Sequence, residues 1–320
     1  MKTSVILCTY NRSQSLARAL ESLASSVLPE FTDWEILVVD NNSSDQTKSV
    51  VKNFCEHFQG RCRYLFEGQQ GKSYALNTGI HEAHGEILAF LDDDVTVEPK
   101  WLQDLTAPLH DRRYAGSGGP ILPARGFVAP KWLALEGPCN LVGALCAYFN
   151  PGDTPGELAS PPYGANMAFR REMFERYGYF RTDLGPRPNS EMRFEDTEFA
   201  NRLIGAGEHL RYVPSAIVYH EIHEGRVTKK FFLAWWFDFG RGWVRETNKE
   251  VGGWERIKIF ARIVRTGLQW LVTFDSQRRF YRKCRVWYDS GKLTEIYKLA
   301  GNTKSTKDEV KRQVREESSI

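Results

Sequence analysis

Short apolar runs alternate with amphipathic stretches through the first 95 residues of the chain. Each run ends in a polar turn, and apolar residues with helical spacing follow each of the first three runs. The predicted strands are residues 4–8, 35–39, 63–66 and 86–91, and the predicted helices are 13–27, one that follows a capping Ser44, and 71–83. Nearly continuous apolar strands that alternate with helices indicate a parallel sheet covered on both faces.

The pattern is less regular after residue 95. We predict a strand with a turn at 117–125, a flexible loop over 151–162, a strand at 165–169, a helix at 195–206 and a strand-like segment at 210–220. A Gly- and Pro-rich loop precedes this helix. The region therefore continues the α/β body without the regular repeat of the first part.

Composition and charge divide the chain into three parts. The 320 residues are 42% hydrophobic, which is enough for a full core in one large domain or two modest ones. Residues 1–225 carry 21 Lys and Arg against 29 Asp and Glu (net −8), 226–300 carry 17 against 7 (net +10), and 301–320 carry 5 against 4 (net +1). We predict an acidic body over 1–225, a basic, Trp-rich helical extension over 226–300, and a charged, mobile tail over 301–320.

The cysteines and the longest apolar segments bear on the cellular compartment. The apolar run at the N-terminus is too short for a signal peptide, and no window offers the roughly 20 uncharged apolar residues of a membrane-spanning helix. The six Cys residues contain no C-x-x-C pair. We therefore expect reduced thiols and a cytoplasmic protein.

The fourth apolar run leads directly into three carboxylates, in the stretch LAFLDDDV that ends at Val95. Like charges this close repel each other, and each resists the loss of water. A solvated turn is one explanation, and a site for a hard cation is another, because Mg²⁺ prefers carboxylate and phosphate oxygens. Ligands of parallel sheets bind beyond the carboxyl ends of the strands, which favours a cation site with a diphosphate-bearing ligand.

Several further motifs follow one another along the chain. They are VILCTYNR, ILVVDNNSSDQT, GKSYALNTGI, GEILAFLDDDV, GANMAFRREMFERYGYF and EDTEFANRLIGAG, within about residues 3–223. In these motifs the chain resembles the inverting family 2 glycosyltransferases with the GT-A fold. The resemblance implies the GT-A nucleotide-diphospho-sugar transferase fold, an α/β fold with a Rossmann-like, mostly parallel sheet, here followed by the helical extension.

The resemblance also implies an activity, namely the transfer of a sugar from a nucleotide-sugar to an acceptor hydroxyl. We expect a UDP-sugar as the donor and a glycan or a lipid-linked glycan as the acceptor. The residues that would contact the nucleoside or the donor sugar are Thr9, Asn11, Arg12, Asp40, Asp92 and Asp93.

Within that set, Asp40 would meet the base and Asp92 would lie near the ribose. Asp94 would bind Mn²⁺ or Mg²⁺, and His220 rather than His223 would complete the metal shell. The pair Glu195-Asp196 would be catalytic, with Asp196 as the general base.

Several assignments leave a structural alternative open. Lys72 could reach a phosphate or a ribose, or it could be a surface lysine. Asn166 could contact the donor sugar or the acceptor, since a buried Asn is costly unless bonded, or it could make a structural hydrogen bond. Glu195 and Asp196 could complement a helix dipole, and Glu198 competes for the base role. Zinc at the H-x-x-H pair is set aside because no third soft ligand is near in the sequence.

The extension carries an apolar stripe within residues 256–274. It consists of Ile257, Phe260, Ile263 or Val264, Leu268 and Leu271. Such a helix can lie in a membrane interface, where each Lys or Arg near an anionic leaflet adds ~1 kcal/mol. The alternative is a helical cap packed on the body. We expect a peripheral contact with the inner face of the cell membrane, and no nucleic-acid binding, because no recognised module is present.

Two other functions remain compatible with these features. A sugar nucleotidyltransferase on the same fold usually has a Gly-rich phosphate loop after the first strand, whereas TYNRSQS contains no glycine. A non-catalytic carbohydrate-binding relative would not need the intact set of Asp92, Asp94 and Asp196. Both observations favour the transferase.

Overall fold

The computed structural model of the protein describes residues 2–26, 33–58, 61–124, 126–247 and 251–317, with side chains as far as residue 301. Within these residues, eight strands form the central sheet. The strands are β1 (Thr3–Thr9), β2 (Trp34–Asp40), β3 (Cys62–Phe66), β4 (Ile87–Asp92), β6 (Tyr114–Gly118), β8 (Gly156–Glu157), β9 (Asn166–Arg170) and β10 (His209–Tyr212). They lie in the order β3-β2-β1-β4-β9-β6-β10-β8. β1 to β4 are parallel, and β9 is antiparallel to both β4 and β6. The predicted, mostly parallel sheet is therefore confirmed.

A smaller sheet stands beside the central one. It consists of β5 (Val95–Val97), β7 (Ile121–Pro123) and β11 (Val218–His220), with β11 in the middle. The segments 117–125 and 210–220, each predicted as one strand-like unit, are in fact divided between the two sheets. The chain can cross at Gly119 because a Cβ there would lie 2.0 Å from the carbonyl oxygen of Ala216. Local apolar patterning does not specify which sheet a strand joins, so the division was not predicted.

Helices cover the central sheet. They are α1 (Ser13–Ala24), α2 (Thr47–His57), α3 (Lys72–Glu82), α4 (Trp101–Thr106), α5 (Val142–Cys146), α6 (Arg171–Tyr177) and α7 (Glu195–Gly205). The apolar face of α1 is buried through Leu16, Leu20 and Leu23, as its spacing predicts. α1 ends at Ala24, before the predicted end at Val27, which lies outside the described residues.

The start of α2 differs from the prediction. Ser44 does not cap the helix, because α2 begins at Thr47 and the hydroxyl of Ser44 donates to Oδ1 of Asn11 at 3.3 Å, as its backbone N–H does at 2.7 Å. Oδ1 of Asp45 accepts the backbone N–H of Thr47 at 3.0 Å, so this carboxylate satisfies a donor at the helix start. Ser44 thus ties the loop after β2 to the loop after β1.

In the described part of the chain, the predicted extension contains α8 (Lys229–Thr247), α9 (Gly253–Leu271) and the first part of α10 (Ser276–Glu317). α8 packs on the body, since Phe239 and Trp243 contact a cluster of Leu184, Met192 and Phe194. α10 continues through Glu317, into the segment for which the composition predicts mobility. Within the described ranges, no helix combines the length and the apolar character needed to cross a membrane.

The cysteines differ from the prediction at one pair. Cys55 on α2 and Cys62 on β3 form a disulfide with their Cα atoms 4.9 Å apart. The expectation of reduced thiols is therefore wrong for this pair. The two cysteines are seven positions apart in the sequence, and α2 packs next to β3, but this spacing matches no known cysteine motif. The cytoplasmic location loses this support and stays a prediction.

Candidate active site

The three carboxylates lie at the end of β4, at the carboxyl edge of the parallel strands. Asp93 and Asp94 are buried, and Arg12 from the loop after β1 contacts both. Its Nη1 lies 3.0 Å from Oδ1 of Asp93 and 2.7 Å from Oδ2 of Asp94. Burial raises the pKa of Asp93, and Arg12 only partly opposes this. The guanidinium of Arg12 therefore offsets part of the repulsion between the adjacent carboxylates of the acidic triplet.

Asp94 contacts two imidazoles and one guanidinium from residues 220–226, which lie far from it in the sequence. Nε2 of His220 lies 3.3 Å from its Oδ1, while Nη2 of Arg226 lies 3.3 Å and Nε2 of His223 3.7 Å from its Oδ2. Burial opposes ionisation of Asp94, but the charged and hydrogen-bonding groups around it, Arg12 and Arg226 among them, outweigh burial and hold its pKa well below the ordinary value. Asp94 is thus a carboxylate in the folded protein.

The donor atoms at this corner fit a divalent cation. Nδ1 of His220 lies 2.8 Å from the carbonyl oxygen of Glu221, which can only accept, so Nδ1 carries the ring proton and Nε2 offers a lone pair. Oδ1 of Asp94, which Nε2 faces, is buried and has no hydrogen-bond partner among the described residues. Asp92, Asp94 and His220 together place one ligand atom each within 4.8 Å of one another. Two carboxylates and one imidazole suit Mn²⁺ or Mg²⁺.

Lys72 connects the acidic triplet to the Glu195-Asp196 pair. Its ammonium forms an ion pair with Oδ1 of Asp92 and lies 3.8 Å from Oε1 of Glu195. Burial alone would lower the pKa of Lys72, but Asp92, Glu195 and Asp196 raise it above the ordinary value. Lys72 is therefore a half-buried cation beside Asp92 and Glu195, which favours a role in the site over the surface alternative.

The Glu195-Asp196 pair begins α7. Glu195 is buried, and its Oε2 has no hydrogen-bond partner among the described residues. Burial and then the charge of Asp196 raise the pKa of Glu195 to about 7, although Lys72 opposes the shift. Asp196 is partly exposed, and its Oδ2 accepts the backbone N–H of Gly164 at 2.5 Å. Two adjacent carboxylates thus have different environments, which is a typical way to separate catalytic roles.

Glu198, the competing candidate for the base, is occupied elsewhere. Its Oε2 forms an ion pair with Nη2 of Arg202 at 2.6 Å, one helical turn along α7. Arg202 in turn donates to the carbonyl oxygen of Tyr179. Glu198 therefore supports the helix and the loop after α6 and is a poorer candidate than Asp196.

The predicted nucleoside residues surround the ends of β1 and β2. Asp40 is buried, and its two oxygens accept the backbone N–H of Ser43 at 2.9 Å and the hydroxyl of Tyr64 at 2.8 Å. Asn11 has a φ of 51°, a left-handed conformation that Asn tolerates. Its bond with Ser44 holds the loop beside the site, and Thr9 is buried at the end of β1.

Asn166 lies behind the site. Its side-chain oxygen accepts from Nε1 of Trp101 at 2.8 Å, and its amide donates to the carbonyl oxygens of Pro120 at 2.9 Å and Ala216 at 2.7 Å. These three bonds use the donors and one lone pair of a fully buried side chain. The structure therefore favours the structural alternative for Asn166, which joins the two sheets.

Three arginines of the site were missed by the sequence analysis. Arg187, Arg193 and Arg226 line a cavity of about 300 Å³ together with Arg12 and Lys72. Arg187 and Arg193 lie in the Gly- and Pro-rich loop before α7. Their positive charge, close in sequence to the acidic motif that begins at Glu195, could have indicated a role in the site. Arg226 is the first residue of the predicted extension, so the predicted boundary at 225/226 runs through the site. The division into domains stays a prediction.

Comparisons with known proteins agree with this architecture. The profile of the family described as Glycosyl transferase family 2 matches residues 4–178. The glycosyltransferase AglE of Haloferax volcanii is 28% identical over 230 residues, which cover 72% of this chain and 70% of AglE. A Campylobacter jejuni enzyme named GalNAc(5)-diNAcBac-PP-undecaprenol beta-1,3-glucosyltransferase is 42% identical over 95 residues, which cover 29% of each chain.

A solved structure shares the fold over nearly the whole chain. The mannosyltransferase PcManGT from Pyrobaculum calidifontis, in complex with GDP-Man and Mn²⁺, superimposes with a TM-score of 0.62 and 17% identity. The match covers 92% of this chain and 87% of PcManGT. The predicted GT-A fold is therefore confirmed.

Proposed function

The chain belongs to glycosyl transferase family 2 and is a glycosyltransferase, and from this premise we propose that it transfers a sugar with inversion from a nucleotide-sugar to a hydroxyl of a glycan or lipid-linked glycan. One observation carries the proposal. Lys72 forms an ion pair with Asp92 and lies 3.8 Å from Glu195. Through Lys72, the carboxylate of Glu195, which precedes the proposed base Asp196, lies near Asp92, and Asp92 and Lys72 both line the cavity described above.

The donor is proposed to bind across the carboxyl ends of β1, β2 and β4. The nucleoside lies along the loop of Thr9 and Asn11, with its base toward Asp40. A uridine nucleotide is the expectation from the family motifs, although the solved relative PcManGT binds GDP-Man. The donor sugar then lies near Asp93 and Lys72.

The diphosphate is proposed to lie at the arginine side of the cavity. Asp94 and His220, with Asp92 beside them, would hold Mn²⁺ or Mg²⁺, which when bound stabilises the negative charge on the leaving diphosphate. Arg12 and Arg226 each lie within 3.3 Å of Asp94. From there the two guanidinium groups can donate to phosphate oxygens and orient the leaving group.

Asp196 is proposed to take the proton from the acceptor hydroxyl. Its carboxylate is anchored by the N–H groups of Gly164 and Thr197, at 2.5 and 2.7 Å. These bonds fix its direction and leave further lone pairs for the acceptor. Glu195 holds Lys72 in position. Inversion needs one displacement, so one base is sufficient and no enzyme nucleophile is required.

The proposal also covers the acceptor and the cellular location of the enzyme. The Campylobacter relative is named for a substrate linked to undecaprenol through a diphosphate, which supports a lipid-linked acceptor for this chain. The extension 226–300 would then hold the enzyme peripherally at the membrane. The loops that line the pocket would determine which donor sugar is bound and which glycosidic linkage is formed.

A donor-hydrolysis screen tests the proposed function. Release of nucleoside diphosphate is measured for a panel of UDP- and GDP-sugars, with Mn²⁺, with Mg²⁺ and with EDTA. We expect turnover with one donor class and its loss in EDTA. Asp94→Asn is expected to abolish the metal-dependent turnover, whereas Asp33→Asn, an exposed carboxylate before β2, is expected to keep it. Turnover that is equal in EDTA, or retained in Asp94→Asn, contradicts the proposed metal site.

A further inference from the structure

The outer face of α9 is apolar and exposed. Its residues recur at spacings of three and four, and they are Trp254, Ile257, Phe260, Val264, Leu268 and Leu271. The exposed fractions of Phe260 and Leu268 are both 61%. Val272 and Phe274 continue the face beyond the helix, and Phe274 is 98% exposed. An exposed apolar face of this kind usually marks an interaction site.

The opposite face of α9 attaches the helix to the protein. Ile259 is buried in a cluster with Val244 and Ile296. Arg262 forms an ion pair with Asp289 of α10, with Nε and Oδ2 2.7 Å apart. The contacts of this inner face attach the helix to the protein, so the outer face is not needed for its attachment. We call the outer face the α9 stripe.

A second feature adjoins the α9 stripe, namely a cavity between α9 and α10 of about 430 Å³. Five arginines line this cavity: Arg262, Arg265, Arg278, Arg282 and Arg285. Apart from Arg262, none of them has a carboxylate within ion-pair distance in the described part of the chain. Four guanidinium groups around one cavity favour an anionic ligand, and phosphate matches their donor geometry.

The cavity and the α9 stripe share an edge. Arg265 lines the cavity and lies three residues before Leu268, so the two side chains are neighbours on the helix. Arg278 lines the cavity from the start of α10, four residues after Phe274. Phosphate-binding and apolar groups are thus side by side on one surface.

We propose that the α9 stripe and the arginine-lined cavity together form a docking surface for a membrane that carries anionic phospholipids. The stripe enters the boundary between headgroups and acyl chains, and lipid phosphates occupy the cavity. Trp270 and Trp287 flank Lys283, whose Nζ lies 5.2 Å from each ring, and aromatic and basic residues in this arrangement suit the headgroup region. This inference deepens the membrane part of the proposed function.

The charge of the surface favours a membrane over a second copy of the chain. Residues 226–300 carry 17 Lys and Arg against 7 Asp and Glu. A symmetric pair that buried the α9 stripe would bring two arginine-lined cavities together, and like charges there would repel. An anionic leaflet supplies the opposite charge and an apolar layer at once.

Vesicle co-sedimentation of the full-length chain tests the proposal. Vesicles of phosphatidylcholine alone are compared with vesicles that also contain phosphatidylglycerol, at low and high salt. We expect binding to the anionic vesicles and weaker binding at high salt. Arg265→Glu with Arg278→Glu is expected to lower the partition coefficient at least about 25-fold, since each basic residue near the leaflet contributes a factor of about five.

A second variant tests the α9 stripe separately. Phe260→Ser with Leu268→Ser is expected to lower binding roughly tenfold or more through lost apolar burial. Val128→Ser removes an 86% exposed side chain outside the extension, and Lys52→Glu reverses an exposed charge on α2. Both controls are expected to bind as the wild type does.

The results of vesicle binding and donor hydrolysis distinguish a failure of the docking surface from a failure of the proposed sugar transfer. No binding of the wild type to anionic vesicles overturns the docking surface, even if donor hydrolysis is normal. A wild type that sediments as a dimer in solution, and a Phe260→Ser/Leu268→Ser variant that is monomeric, would also overturn it in favour of a second copy. Normal vesicle binding without donor hydrolysis leaves the surface supported and counts against the proposed function alone.

Discussion

Nε2 of His220 lies 3.3 Å from Oδ1 of Asp94. The ring proton of His220 is at Nδ1, bonded to the carbonyl oxygen of Glu221. Burial lowers the pKa of His220 below its ordinary value, although Asp94 opposes the shift, so the ring is neutral at neutral pH. Two buried lone pairs that face each other repel, and a cation between them removes that repulsion.

His220→Ala is therefore expected to weaken the binding of Mn²⁺ in the presence of nucleoside diphosphate. Even residues that only orient a ligand change metal affinity about 10–100-fold, so we expect a loss of at least tenfold. Titration followed by electron paramagnetic resonance measures it. His110→Ala, on an exposed turn, is the control. An unchanged Mn²⁺ affinity in His220→Ala would remove this residue from the metal shell.

Asp196→Asn is expected to reduce transfer to the acceptor about 10²–10⁴-fold, the usual contribution of a positioned general base. Donor affinity should change little, because the amide keeps the shape of the side chain. Glu198→Gln is the matched control, since Glu198 is paired with Arg202. Steady-state transfer and a donor-binding titration are compared for both variants. Near-normal transfer in Asp196→Asn, or a larger loss in Glu198→Gln, contradicts the assignment.

Gly164→Ala tests whether the direction of Asp196 matters. A Cβ at position 164 would lie 3.1 Å from Oδ2 of Asp196 and 3.5 Å from Nζ of Lys72. The contact with Lys72 is an ordinary one, but Oδ2 of Asp196 must move by a few tenths of an ångström. Displacement of a reacting group by about 1 Å can cost roughly 10²-fold in rate, so a smaller shift should cost less. We expect turnover to fall at least about tenfold with unchanged thermal stability. Gly205→Ala, where no atom lies within 4 Å, should retain activity. Equal activity in both variants would show that the contact is unimportant.

The first four strands could be predicted because each is nearly continuous in apolar residues, and burial on both faces requires that composition. The division of 117–125 and 210–220 between two sheets could not, because local periodicity carries no information about the partner strand. Gly119 shows why: its close approach to Ala216 depends on residues almost a hundred positions away.

Apart from His220, the site residues that could be predicted lie within the sequence motifs. Asp92 to Asp94 and Glu195-Asp196 lie within motifs, whereas Arg226 lies after the last one and reaches Asp94 through a short 3₁₀ turn at Glu224–Arg226. The partners of Asn166 are Trp101, Pro120 and Ala216. Such distant partners exist only in the folded chain, so its role stayed open. The stripe on α9 was visible from its spacing, but its exposure was not.

Glu195 predicts a dependence of stability on pH. Its pKa is raised from 4.5 to about 7 in the folded protein, so the folded state binds this proton more tightly than the unfolded state. The contribution is fully present below about pH 4.5 and is lost as the pH rises to about 7, a change on the order of 3 kcal/mol. Glu195→Gln should remove this loss.

Denaturant unfolding across this pH range, without donor or metal, measures the difference between the wild type and Glu195→Gln. Glu86→Gln changes an exposed carboxylate and should keep the wild-type profile. Parallel profiles for the wild type and Glu195→Gln would mean that the protonation of Glu195 does not differ between the folded and unfolded states.

Gly240→Ala is expected to destabilise the crossing of α8 and α10. A Cβ at position 240 would lie 2.0 Å from the carbonyl oxygen of Tyr288, and one at Gly291 would lie 2.0 Å from that of Phe237. The obstacle is backbone, so the helices must separate, and overpacking of this kind costs about 1–3 kcal/mol or more. This loss exceeds the gain of up to ~1 kcal/mol when Ala replaces Gly inside a helix.

Gly267→Ala on α9 is the control, because no atom lies within 4 Å of the added methyl group. Its melting temperature should stay the same or rise, while that of Gly240→Ala should fall by several degrees. Donor hydrolysis should fall with it, since α8 packs through Phe239 and Trp243 on the loop that contains Met192. A melting temperature in Gly240→Ala that matches Gly267→Ala would mean that α8 and α10 do not cross at these glycines.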